Sequence, residues 1–180
     1  MSQDFSPDRL DVKAFALAGG RLTGRDPLSL YERLQDEAVA LSDALHVAWT
    51  AEASVRTLPG GATQPWLRLQ AQATLPLECQ RCLTPADTLL EVDREFRFVP
   101  DKATAEAEDE DSEEDLLVLS RDFDLRELIE DELLLALPLV PMHEVCPEGP
   151  VLSAQSEAFE QAQAERPHPF AALAALRKPG

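Results

Sequence analysis

The plainest pattern along the chain is an alternation of apolar and polar side chains. Leu67, Leu69, Ala71, Ala73, Leu75, Leu77 and Cys79 take every second position, with Arg68, Gln70, Gln72, Thr74 and Glu78 between them. A period of two sends the sets to opposite faces, so the segment reads as a half-buried β-strand. Pro76 has no N–H for a ladder and argues for an edge or a bulge there. Leu45, Val47 and Trp49 alternate in the same way, in a strand that continues to Val55. So do Leu90, Val92, Phe96 and Phe98, with Arg94 breaking the apolar row. Pro59-Gly60-Gly61 separates the first two strands, and Cys82-Leu83-Thr84-Pro85-Ala86-Asp87 reads as the turn before the third. Three successive strands on short connections predict an antiparallel meander. Leu116-Leu117-Val118-Leu119 offers one last short strand.

Two segments carry helix signals. Asp26-Pro27 has the form of an N-cap followed by proline at the first helical position, and Leu28, Tyr31 and Leu34 follow at steps of three, which predicts a helix over about 27–37. Asp124 and Glu127 have the spacing of a capping box, opening a leucine-rich helix over about 125–136 that Pro138 stops. Residues 1–22 show little period. The expected fold is α+β: an antiparallel sheet from about 39–99 and 116–119, packed by two or more helices, as a single domain over 1–150. Residues 153–165 are mostly Ala, Gln, Glu and Ser and read as a linker. Phe170, Leu173 and Leu176 then recur every three residues before Arg177-Lys178, a short amphipathic C-terminal helix that clips onto the parent domain or docks on a partner.

Charge changes this picture in one place. The chain has 180 residues and a net charge of −18, and residues 101–135 alone hold 15 acidic against 3 basic side chains. Within them Glu106 to Asp115 is an almost unbroken acidic run. Blocks of like charge repel themselves, so a mobile acidic loop over about 101–115 is expected. Either it is a solvated connection, or Glu108, Asp109, Glu110, Asp111, Glu113, Glu114 and Asp115 form a landing strip for a basic partner. The same excess repels phosphate and excludes a protein that coats nucleic acid with its whole surface. Any RNA contact is expected to be local, at Arg166, Arg177 and Lys178, with Phe170, Leu173 and Leu176 as a second partner-binding stripe. The N-terminus has no basic and apolar leader, and the longest apolar run, Leu133 to Met142, is ten residues with two prolines, against about 20 for a membrane span. A cytoplasmic protein with no membrane contact is expected.

Candidate chemistry sits in two short motifs. Cys79-Gln80-Arg81-Cys82 and His143-Glu144-Val145-Cys146 contain all three cysteines and one of the three histidines. Each places two donors three positions apart, a spacing that lets both turn onto one ion, and three thiolates with one imidazole are a known structural zinc set. Two readings stand: a structural zinc site of Cys79, Cys82, His143 and Cys146, or reduced, partly buried cysteines with His143 at the surface. A redox pair fits less well, because no helix opens on the motif to lower a thiol pKa. No nucleophile elbow, phosphate loop or His-Glu-x-x-His is present.

Four stretches together point to a family. They are Leu77-Glu78-Cys79-Gln80-Arg81-Cys82, the run from Ile129 to His143 (Ile-Glu-Asp-Glu-Leu-Leu-Leu-Ala-Leu-Pro-Leu-Val-Pro-Met-His), Cys146, and Pro167-His168-Pro169-Phe170-Ala171-Ala172-Leu173. In order, spacing and acidic interlude the chain resembles the YceD family of large ribosomal RNA accumulation proteins, from about residue 26 onward. That resemblance implies a role in synthesis, processing or stability of 23S ribosomal RNA and supplies no active site. The expectation is therefore a non-enzymatic ribosome-biogenesis factor that meets a large-subunit ribosomal precursor or a basic ribosomal protein. The alternative is a zinc- or thiol-dependent enzyme acting on RNA or on a protein disulfide.

Overall fold

The computed structural model describes residues 5–57 and 60–147. Five strands form one sheet in the order β1-β2-β3-β4-β5: β1 (Arg21–Pro27), β2 (His46–Thr57), β3 (Thr63–Glu78), β4 (Pro85–Val99) and β5 (Asp115–Val118). The helices are α1 (Val12–Leu17), α2 (Glu32–Asp36), α3 (Lys102–Glu108) and α4 (Leu125–Leu135). The α+β class and the meander of β2, β3 and β4 agree with the alternation of the sequence, and β3 and β4 bury the apolar side chains that the period assigns to one face.

The core lies on that face. Leu67, Leu69, Leu75, Phe96 and Phe98 from the sheet meet Phe15 of α1, Tyr31 and Leu34 around α2, and Leu125, Ile129 and Leu133 of α4. Helix α4 starts where expected, with Asp124 accepting hydrogen bonds from the N–H groups of Arg126 and Glu127. Pro76 has a strand neighbour on one side only, because β2 reaches no further along β3 than Ala73. It is paired with Asp87 in β4, and its carbonyl accepts from the N–H of Val39.

Three expectations are corrected. Residues 21–27 are not the run-in to a helix but the edge strand β1, in register with β2 from Arg21↔Glu52 to Pro27↔His46. A proline at the end of an edge strand loses no ladder bond. Asp26 caps no helix; its Oδ2 accepts from the Tyr31 hydroxyl at 2.9 Å and the Trp49 indole at 2.8 Å. The helix of 27–37 shrinks to a 3₁₀ turn at Leu28–Leu30 and the short α2. Second, the last strand is parallel to its neighbour, Phe96↔Asp115 to Val99↔Val118. A parallel pair needs a crossover of about a dozen residues or more. Third, the acidic segment is that crossover, carrying α3 and a 3₁₀ turn at Asp109–Asp111 rather than an open loop. In addition, the N-terminal stretch without period holds α1, capped by Asp11, whose Oδ1 accepts from Ala14 N at 2.9 Å.

Two long-range ties close the fold. The segment before α1 is stitched to the segment before α4: Leu10 and Phe123 exchange backbone bonds at 2.8 and 3.0 Å, and Leu125 N–H donates to Pro7 at 2.8 Å. Glu130 of α4 reaches back to the N-terminus of α2. Contacts divide the chain after Val145, and of the part that begins at Cys146 the described residues are Cys146 and Pro147. The linker and helix expected over 151–180, with Arg166, Phe170, Leu173, Leu176, Arg177 and Lys178, lie outside the described residues.

Candidate metal centre

β3 and β4 are 16 and 15 residues long, yet β2 supports β3 only up to Ala73 and β5 supports β4 only from Phe96. The far end of this hairpin, Thr74–Glu78 against Pro85–Leu89, is therefore a two-stranded ribbon. Such ribbons are marginal by themselves. The turn that closes it carries the first cysteine motif. Cys79 N–H donates to Thr84 O at 3.0 Å and Leu83 N–H to Cys79 O at 2.8 Å, with Leu83 at φ +58°.

The second motif is laid against this turn. Pro138 ends α4, and the chain that follows accepts from the turn at successive carbonyls: Gln80 N–H to Pro141 O at 2.9 Å and Arg81 Nη2 to His143 O at 2.8 Å. The sixty residues between Cys82 and His143 are thus closed by one main-chain bond and one bond from the Arg81 side chain to a main-chain carbonyl. The donor atoms of Cys79, Cys82, His143 and Cys146 all lie within 4.8 Å of one another, with Cys79 buried and the other three half-buried. The four residues proposed from spacing alone converge in space.

The histidine is oriented from behind. Its Nε2 lies 3.0 Å from the carbonyl oxygen of Pro85, an atom that can only accept, so Nε2 carries the proton. Nδ1 is left facing the sulfurs, 3.4 Å from Cys82 Sγ. A carbonyl accepting from the far ring nitrogen in this way fixes the tautomer and the ring plane of a metal-binding histidine. Burial pushes the Cys79 thiol up, but N–H groups of His143, Arg81 and Cys82 and the His143 ring outweigh it and bring the thiol down to about 5. His143 is raised, by its contact with Cys79 first and Cys82 after it, against an opposing effect of burial. A thiolate is the form of cysteine that ligates metal. Three thiolates and an imidazole fill a tetrahedral shell, which is the pattern of structural rather than catalytic zinc.

The other predicted site residues fall elsewhere. Arg97, on the sheet face away from the core and only 7% exposed, gathers the acidic crossover. Its guanidinium donates to Glu108 at 2.7 Å, Ser112 at 2.6 Å and Gln64 at 2.9 Å, with Glu114 at 4.0 Å. Asp115 pairs with Arg94. Asp109, Glu110, Asp111 and Glu113 remain exposed. So the acidic run is two populations, one spent on holding the crossover down and one facing solvent. Sequence reasoning missed Arg97, Arg81 and the Pro85 carbonyl. Only Arg97 left a signal, a cation between Phe96 and Phe98 a few residues before the acids. No helix among the described residues is long and apolar enough to cross a membrane.

Comparison with known proteins adds the following. A family model described as "Large ribosomal RNA subunit accumulation protein YceD" matches residues 67–177. A curated protein named "Large ribosomal RNA subunit accumulation protein YceD", from Haemophilus influenzae (strain ATCC 51907 / DSM 11121 / KW20 / Rd), is 38% identical over 114 residues, which is 61% of this chain and 63% of that relative. No solved structure matches.

Proposed function

The chain belongs to the YceD family, and from that membership we propose that it is a non-enzymatic factor of ribosome biogenesis, supporting the synthesis, processing or stability of 23S ribosomal RNA. The observation that carries this reading is the family match itself, across residues 67–177, which takes in most of β3, all of β4, the acidic crossover, α4 and all four sulfur and imidazole donors. The name of the 38% identical relative points to accumulation of the same RNA. The work is cytoplasmic, where ribosomes are assembled.

The residues fit a zinc ion held by Cys79, Cys82, His143 and Cys146. Zinc would supply no reaction chemistry; bound there it would lock the ribbon end of the hairpin to the chain that leaves α4, and the residues do the rest. Pro85 orients the imidazole, while Gln80 and Arg81 hold the second motif in place. A closed shell leaves no coordination position for a reacting water, which supports a scaffold over an enzyme.

Charge selects the partner. Residues 1–147 carry 30 acidic and 13 basic side chains. Such a body gains nothing from counterion release on naked RNA, so RNA contact is local at most and the main contact is with protein. A basic protein of the large subunit is the complement of Asp109, Glu110, Asp111 and Glu113. The test is sucrose-gradient fractionation of cells carrying a tagged copy, beside the 23S to 16S ratio in cells lacking the protein. Comigration with large-subunit precursors and a lowered ratio are expected. A tagged protein confined to the top of the gradient, with an unchanged ratio, would refute the reading.

A further inference from the structure

Apolar side chains in contact with solvent are unevenly placed on this molecule. Of the thirteen large hydrophobic residues exposed among the described residues, five stand in one stretch: Leu135, Leu139, Val140, Met142 and Val145. Leu139 is wholly exposed and Val145 is 85% exposed. A sixth, Leu83, is 68% exposed at the hairpin turn. It is held there at φ +58°, a conformation that a leucine adopts only when its surroundings enforce it. The Gln80–Pro141 and Arg81–His143 bonds bring the turn and this stretch to one end of the molecule. The core is already filled from α4 by Leu125, Leu128, Ile129 and Leu133, so nothing among the described residues accounts for this apolar surface. Exposed apolar side chains gathered at one end of a globular protein mark a contact surface.

Charge decides what covers it. Glu78, Asp87 and Glu144 stand exposed around the same end. The cation among them, Arg81, is turned onto the carbonyls of His143 and Glu144. A second copy of the chain would bring an equally acidic body, and a polynucleotide would bring phosphate; both are repelled. A basic polypeptide with apolar side chains matches the patch and its rim together. We propose that Leu83, Leu139, Val140, Met142 and Val145 form a docking platform for a basic protein segment, and that the Cys/His cluster keeps its two halves in register. The proposal rests on the ribosomal reading above, in which that segment belongs to a protein of the large subunit.

The experiment immobilises the full-length, zinc-loaded chain and offers it the total protein stripped of RNA from purified large subunits. One or a few basic proteins should be retained, and the double variant L139S/V145S should lower their retention at least tenfold while zinc content and the urea midpoint stay unchanged. Retention equal to that of the unaltered chain overturns the platform. So does a wild-type dimer that the same substitutions dissolve in sedimentation, which would make a second copy the occupant. Release of residues 148–180 to limited proteolysis by those substitutions overturns it too, since the occupant would then be the chain's own C-terminal segment. The parent reading is scored apart, on the gradient. If the unaltered chain never reaches large-subunit precursors, both fail. If L139S/V145S comigrates with them as well as the unaltered chain does, only the platform fails.

Discussion

Replacing Glu130 with alanine would remove the acceptor that starts α2. Helix α2 is only five residues long, and its own N-cap residue, Tyr31, makes no side-chain capping bond. Glu130 supplies the cap from the other end of the sequence. Its Oε1 accepts from the N–H groups of Arg33 at 2.8 Å and Leu34 at 3.2 Å, and its Oε2 from Arg33 Nε at 2.9 Å. Losing a cap costs about 1 kcal/mol, with a range of roughly 0.5–2. The two N–H donors lie beside the buried Leu34, where water replaces the lost acceptor poorly, which places the cost at the upper end of that range. The ion pair with Arg33 adds about 0.5–1 kcal/mol, since the guanidinium is half exposed and screened. E130A should therefore lose about 2–3 kcal/mol, read as a lowered urea midpoint at unchanged slope. E130Q keeps the acceptor and gives up the charge, and should lose only about 1 kcal/mol. D131A removes the other partner of Arg33, an exposed pair, and should cost about 0.5 kcal/mol or less. Equal losses for E130A and E130Q would refute the reasoning, because the cap would then contribute nothing beyond the charge.

The remaining predictions concern other parts of the molecule. The purified chain should hold one zinc per molecule by atomic absorption and C79S should hold none; zinc at a hundredfold excess over its Kd should raise stability by about 2.7 kcal/mol in thermal melts, and no zinc-dependent shift would count against the centre. G24A should cost about 1–3 kcal/mol and alter the near-ultraviolet signal of Trp49, since an added Cβ would stand 2.5 Å from an indole ring that Asp26 already pins; a wild-type melting curve would contradict this. Acid should weaken the fold through Asp93 and Glu95, which hydrogen bonds from Arg68 and Arg56 respectively hold below their ordinary values of 3.8 and 4.5. Groups lowered in the folded state stabilise it above those values and lose that effect as pH falls through them, so stability should decline from about pH 4.5 downward. Both carboxylates are about half exposed, so each accounts for less than about 1 kcal/mol, and R56Q/R68Q should flatten that part of the pH profile.

The sheet was readable because a period of two over long segments has few rivals, and β2, β3 and β4 all obey it. β1 was hidden behind Asp26-Pro27, a pair that serves an edge strand as well as a helix start. Its inward positions include Gly24, which has no side chain to reveal the alternation. α1 is too short for a period to emerge in six residues, and it is held by Phe15 in the core and by backbone bonds to residues near 120 that no local pattern encodes. The charges of the crossover repel one another and so point to an open loop, whereas the buried Arg97 that gathers Glu108 comes from the preceding strand. The four donors were legible from spacing. Their convergence was not, because it depends on a main-chain bond between Gln80 and Pro141 and on the Arg81 guanidinium donating to the His143 carbonyl.

The stitching of residues 7–10 to residues 123–125 has a consequence for how the molecule comes into being. A chain made from its N-terminus exposes Phe15 early, but the strands and the helix that shelter it arrive late, and the backbone partners of Leu10 are more than a hundred positions downstream. Helix α1 therefore cannot settle until the start of α4 has emerged from the tunnel. A chain stalled before residue 125 would leave residues 7–17 without the contacts that define them.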